Sequence, residues 1–301
     1  MKNLRYLIVL FVLLTSFSAT RMFSQDTSPL IRFGLIADIQ YGDCDTHGDR
    51  YYRNSLEKLT SCIDSLNEQK VQFTINLGDI VDRSPADIDP VVDLLKKLDA
   101  PVFHTTGNHD YKGFTNNGDL FNKLDMPAEY YSFKKGDWLF IMLNTNEIAS
   151  YSNIKGTWKE AELPVMLDRI KSSKRNNDQD WNGGISSKQL QWLKDQLQEA
   201  QKNGMKVLVL SHNPIYPATE FTALNDQEIL DTIADFSCVK CVISGHHHTG
   251  AFAYYKNIPC ITTEGMIETE SKNAFGVVDI YENGLVLTGY GRTKSYTIPL
   301  K

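Results

Sequence analysis

The stretch "IRFGLIADIQ", Ile31–Gln40, sets the pattern for the whole chain. Its apolar run is too dense for a strand with one wet face, so it reads as a buried strand. It ends at a carboxylate, Asp38. The same arrangement recurs downstream. The runs "VQFTINLGD" (71–79), "PVFHTTGNHD" (101–110), "MKVLVLSHNP" (205–214) and "VKCVISGHHH" (239–248) are strands that end in Asp, Asn or His. "DWLFIMLNTN" (137–146) is a further strand.

Helices are expected between them. Leu56, Leu59, Ile63 and Leu66 recur at helical spacing, as do Val91, Val92, Leu95 and Leu98, a helix that stops before Pro101. Leu190, Leu193 and Leu197 share one helical face, and another helical stretch precedes residue 239. The tail, "IPCITTEG", "AFGVVDIY" and "GLVLTGY", is strand-rich, with Asn283-Gly284 as a hairpin turn. Alternating βα units followed by a β-rich tail imply an α/β protein: a four-layer α/β/β/α sandwich of two mixed β-sheets flanked by helices. Residues 144–186 break the rhythm. This stretch is polar, contains "KSSKRNNDQDWNGG", and reads as a long functional or mobile loop, a substrate-side insertion.

The chain has 301 residues, enough for a substantial core. Its formal net charge of −6 argues against a general nucleic-acid-binding surface. An anionic ligand would then need local positive charge, such as bound cations. Lys2 and Arg5 precede "YLIVLFVLLTSF", an apolar run short for a membrane span and followed by small polar residues. Residues 1–25 therefore read as a signal peptide. Residues 26–301 are expected to form one exported domain, periplasmic or secreted, with no membrane contact after cleavage. The five cysteines, Cys44, Cys62, Cys238, Cys241 and Cys260, cannot all pair internally. "CVKC" has no second pair to complete a zinc ribbon and reads as part of a buried strand.

Five strand ends now align. They carry Asp38-Ile39-Gln40, Gly78-Asp79-Ile80-Val81-Asp82, Gly107-Asn108-His109-Asp110, Ser211-His212-Asn213-Pro214 and Gly245-His246-His247-His248. Sites in α/β sheets form beyond the carboxyl ends of the strands, so these side chains are expected at one place. Together they resemble the calcineurin-like metallophosphoesterase superfamily, whose pattern is D-x-H, G-D-x-x-D, G-N-H-D/E, a lone H, and G-H-x-H. One position departs from it: Gln40 stands where most of the superfamily has histidine. That variant, with "RYYRNSL" (50–56) and "WNGGISSKQLQWL" (181–193), is similar to the manganese-dependent ADP-ribose/CDP-alcohol diphosphatase branch. An amide oxygen is a harder ligand than imidazole and favours Mn²⁺ or Mg²⁺ over Zn²⁺.

The resemblance implies two divalent metal ions, Mn first, with Mg, Fe or Zn as alternatives. One is held by Asp38, Gln40, Asp79 and His248. The other is held by Asp79, Asn108, His212 and His246, with Asp79 as the bridge. It implies in-line attack on a phosphoanhydride by a hydroxide shared between the metals. His109 is left to protonate the leaving oxygen or stabilise charge, Asp110 to orient His109, and Asp82 to accept a hydrogen bond behind the site. His247 is expected to point away from its neighbours, and His104 to sit in the core. Arg53 is a candidate for a second phosphate, and Tyr41, Tyr111, Phe114 and Tyr216 are candidates for stacking on a base. The implied substrate is a small phosphorylated, nucleotide-derived compound. The alternatives are a broad phosphodiesterase or phosphomonoesterase, or a metal-binding protein without turnover.

Overall fold

The computed structural model describes residues 28–300; the proposed signal peptide lies outside them. In chain order the strands are β1 (Ile31–Ile36), β2 (Phe73–Asn76), β3 (Val102–His104), β4 (Tyr131–Lys135), β5 (Trp138–Met142), β6 (Lys206–Ser211), β7 (Val239–Ser244), β8 (Ala251–Tyr255), β9 (Ile258–Thr262), β10 (Ala274–Tyr281), β11 (Gly284–Gly291) and β12 (Tyr296–Pro299). The helices are α1 (Ser55–Glu68), α2 (Ile88–Leu95), α3 (Asn117–Lys123), α4 (Glu162–Ser172), α5 (Ser187–Lys202) and α6 (Asp226–Ala234).

Two six-stranded sheets form, ordered β12-β11-β10-β1-β2-β3 and β4-β5-β6-β7-β9-β8. Strands β1, β2 and β3 run parallel, as do β5, β6, β7 and β9; the remaining pairings are antiparallel. This is the expected pair of mixed sheets. The period of two along β5 shows how the layers separate. Trp138, Phe140 and Met142 join the core shared with β1 and β2, whereas Leu139, Ile141 and Leu143 join Leu193 and Leu197 of α5 and Ile229 and Ile233 of α6. On the first sheet's outer side, Leu59, Cys62, Ile63 and Leu66 form the buried face of α1. Between the sheets Phe33 stacks on Phe73 at 5.2 Å, and both meet the edge of Phe140. Each fully buried side chain of this size contributes about 1.5–3 kcal/mol.

The 144–186 stretch is not the unstructured loop its polarity suggests. It holds a 3₁₀ turn, Trp158–Ala161, and the helix α4. Met166 and Ile170 of α4 pack with Ile148 and Leu224 in a small separate cluster. Arg175 fastens its far end to Asp226, with both terminal guanidinium nitrogens on the carboxylate. All five cysteines are free thiols.

Candidate metal centre

The parallel strands of both sheets end on one side, and the expected residues meet there. The backbone is bent hard to achieve this. Among the described residues, ten non-glycine positions have positive φ, and four of them are Asp38, Gln40, Asp79 and His246. Each such conformation costs free energy that the surroundings must offset. The offsetting contacts are visible. Asp38 N–H donates to Gly78 O at 3.1 Å, and Gln40 N–H to Asp79 O at 2.8 Å. Gly107 is fixed by close approach: a Cβ there would lie 2.1 Å from Asp79 Oδ1.

Three imidazoles have their outer nitrogens engaged. His212 Nδ1 lies 2.8 Å from Leu77 O, which can only accept, so Nδ1 carries the proton. His248 Nδ1 lies 2.8 Å from Glu268 Oε1, and His246 Nε2 lies 3.0 Å from Asn182 Oδ1; both are acceptors. The inner nitrogens therefore present lone pairs, and those of His212 and His246 face further acceptors. His212 Nε2 is 3.1 Å from His246 Nδ1, 3.2 Å from Asn108 Oδ1 and 3.5 Å from Asp79 Oδ2. His248 Nε2 is 3.5 Å from Asp38 Oδ1, and the Gln40 amide nitrogen, a donor, lies 3.2 Å from it.

Lone pairs crowded together without protons between them fit a cation. Ligand atoms of Asp79, His212 and His246 all lie within 4.8 Å of one another, and all three residues are buried. Gln40 completes the argument. Its Nε2 donates to Asp79 Oδ2 at 2.9 Å, while its buried Oε1 has no partner. A half-turn of the amide exchanges the two atoms and puts a hard oxygen donor between Asp79 and His248. The residues present thus fit divalent cations.

Charge is balanced within the ring. Burial pushes the Asp79 carboxyl up, but His212 and His109 overcome it and hold it below the usual carboxylate range. Burial likewise opposes the His248 imidazolium, and Asp38 and Glu268 outweigh it, raising the group to about 9, so a cation binding at Nε2 displaces a proton. Burial also raises Asp82, whereas His109 and Arg83 bring it down to about 2.

Two of the outer residues, Asp110 and Tyr111, require correction. Asp110 does not orient His109. Its carboxylate accepts the amide protons of Asp79, Ile80, Val81 and Gly107, at 2.9, 2.8, 3.3 and 2.8 Å. Four donors leave it no capacity for an imidazole. Asp82 has that part instead: its carbonyl lies 2.7 Å and its Oδ1 3.1 Å from His109 Nδ1. Tyr111 is 2% exposed, with its hydroxyl near Thr106 and Asn144, so it offers no face to a ligand. Arg53 pairs with Asp43 and Asp45, at 2.7 and 2.8 Å, in an exposed cluster. Tyr41, Phe114 and Tyr216 are partly buried against the two cores. His247 turns away from the ring and stacks on Phe221 at 4.4 Å.

Asn182, Glu268 and Phe221 were not singled out from the sequence as site residues. Asn182 lies inside "WNGGISSKQLQWL", so a signal existed without a role attached. Glu268 and Phe221 follow no motif, and only the fold brings them in.

Two mixed sheets with a ring of carboxylate, amide and imidazole donors at their strand ends define a metallophosphoesterase, a metal-dependent hydrolase. Residues 31–250 match the calcineurin-like phosphoesterase family, and the chain belongs to it. It is similar to the manganese-dependent ADP-ribose/CDP-alcohol diphosphatases of Oryza sativa subsp. japonica and Homo sapiens. Each is 30% identical to it. The first match covers 87% of this chain and 91% of the relative, the second 89% and 92%. Among solved structures, a dimetal phosphatase from Danio rerio superposes with a TM-score of 0.83 at 27% identity, covering 91% of this chain and all of that one.

Proposed function

We propose that the chain is a dinuclear-metal diphosphatase. It cleaves the phosphoanhydride of nucleotides of the ADP-ribose or CDP-alcohol kind, releasing a nucleoside monophosphate and a phosphorylated remainder. The observation that carries the metal part is the convergence of the His212 and His246 lone pairs on the Asp79 carboxylate, with His248 beside Asp38 and Gln40. Gln40 in the ring, together with the diphosphatases similar to the chain, supports the substrate and favours Mn²⁺.

Asp38, Gln40, Asp79 and His248 would hold one cation, and Asp79, Asn108, His212 and His246 the other. Two such cations supply a nucleophile near neutral pH and a clamp on the phosphoryl oxygens. His109 spends its Nδ1 proton on Asp82 and keeps Nε2 free to protonate the departing phosphate oxygen. Burial lowers this imidazole's proton affinity, but Asp79 and Asp82 prevail and raise it, as an acid at neutral pH requires.

Export belongs to the same proposal and rests on residues 1–25; sequencing the N-terminus of protein recovered outside the cytoplasm checks it. The activity is tested by supplying Mn²⁺ with ADP-ribose, CDP-choline, a bis-phosphodiester and a phosphomonoester. The first two should turn over fastest. Preference for the monoester would overturn the diphosphatase reading.

A further inference from the structure

Trp181 is 40% exposed, although the backbone around it is firmly held. Its carbonyl accepts from the Tyr151 hydroxyl at 3.3 Å. The next residue, Asn182, is almost fully buried. Asn182 Nδ2 donates to Asn177 O at 2.9 Å and Glu220 O at 2.6 Å, and its Oδ1 faces His246. An indole presented so rigidly toward water forgoes burial that a mobile loop would recover. The bond to Glu220 also brings Phe221 beside it. The Phe221 ring lies 6.4 Å from Trp181, tilted 33°, and 5.9 Å from His246, edge-on. On its far side Phe221 stacks on His247. A row of planar groups thus runs from Trp181 to His247 along the edge of the candidate metal centre.

We infer that Trp181 and Phe221 form the wall that receives the planar base of a nucleotide substrate, and so set the preference for nucleoside-containing diphosphates. The inference rests on the diphosphatase reading of the site. A base offers a π-face to either ring whatever its identity, so the wall selects for a base without choosing among bases. The segment bearing Trp181 reaches the centre through Asn182, so the wall and the candidate ligand His246 are fixed relative to one another.

The test compares ADP-ribose with P1,P2-diglyceryl diphosphate, which has the anhydride but no ring. The measured quantity is the ratio of kcat/KM for the two substrates in the Mn²⁺-loaded protein. Trp181→Ala should lower that ratio about 5–160-fold, the worth of one stacked base, through KM for ADP-ribose; Trp181→Phe should restore most of it. An equal change for both substrates would overturn the inference. A second measurement is independent of turnover. AMP should quench the tryptophan fluorescence of the wild type and not that of Trp181→Phe, while phosphocholine leaves both unchanged. Quenching by phosphocholine instead would make the wall a quaternary-ammonium site and overturn the inference. If neither diphosphate is hydrolysed, the diphosphatase reading falls by itself. The AMP titration then decides alone: quenching lost in Trp181→Phe supports the wall, and no quenching overturns it.

Discussion

The Asp110 carboxylate accepts the amide proton of Asp79 at 2.9 Å. Through this bond the loop after β3 sets the backbone of the loop after β2. The same carboxyl group takes the amide of Gly107, so both loops turn around one buried side chain. Asp79 keeps its left-handed backbone, with φ of 54°, because this anchor collects the N–H groups that follow it.

Asp110→Asn replaces one acceptor oxygen with an NH₂ that faces N–H donors. It should destabilise the fold by about 1–3 kcal/mol and weaken metal binding, seen by thermal melting and metal titration. A variant of normal stability with lost turnover would mean that Asp110 acts on the chemistry directly.

His109 lies beside the candidate ligands, with its Nδ1 held by Asp82. His109→Ala should retain its metal by elemental analysis and lose turnover by about 10²–10⁴. Loss of metal would make His109 a ligand.

Asn182 and Glu268 stand behind His246 and His248. Such partners fix the ring orientation and tautomer of a ligand histidine. Asn182→Ala and Glu268→Ala should each weaken metal binding by about 10–100-fold in calorimetric titration. Unchanged affinity in both would detach these residues from the centre.

The sites readable from the sequence are those where one strand hands over a side chain directly. Asp38, Asp79, His212 and His246 each follow a dense apolar run, Asn108 follows the short strand "VFH", and each reaches the ring. What escaped depends on pairing between distant segments. Glu268 reaches His248 across 20 residues, and Phe221 meets Trp181 because Asn182 binds the Glu220 carbonyl. Asp110 was misread because proximity in sequence to His109 says nothing about which donors a buried carboxylate will find. Strands β4, β8 and β12 also escaped, and each lies at the edge of its sheet. Edge strands such as "YSFKK" bury too little to show a dense apolar run. The turn expected at Asn283-Gly284 sits one residue earlier, since Tyr281 pairs with Gly284.

His104 is the core histidine expected from its place in β3. Burial drives its imidazole down to about 4, and its Nδ1 has no partner. The unfolded chain takes a proton near the ordinary value of about 6.5, before the folded one does. Stability from this group is therefore present above that value and lost as pH falls toward 4, at no more than about 1.4 kcal/mol per pH unit. Relative to His104→Gln, the wild type should lose stability across that window in melting curves. Parallel pH profiles would show that His104 does not titrate in this way.

In the proposed centre Asp79 would join two cations in one ring. The most direct measurement is metal content per chain for the wild type and Asp79→Asn after loading with Mn²⁺ and desalting, read by elemental analysis. Two ions are expected in the wild type, and the variant should retain at most one weakly, because an amide cannot supply the bridging negative charge. Two tightly held ions in Asp79→Asn, or none in the wild type, would contradict it.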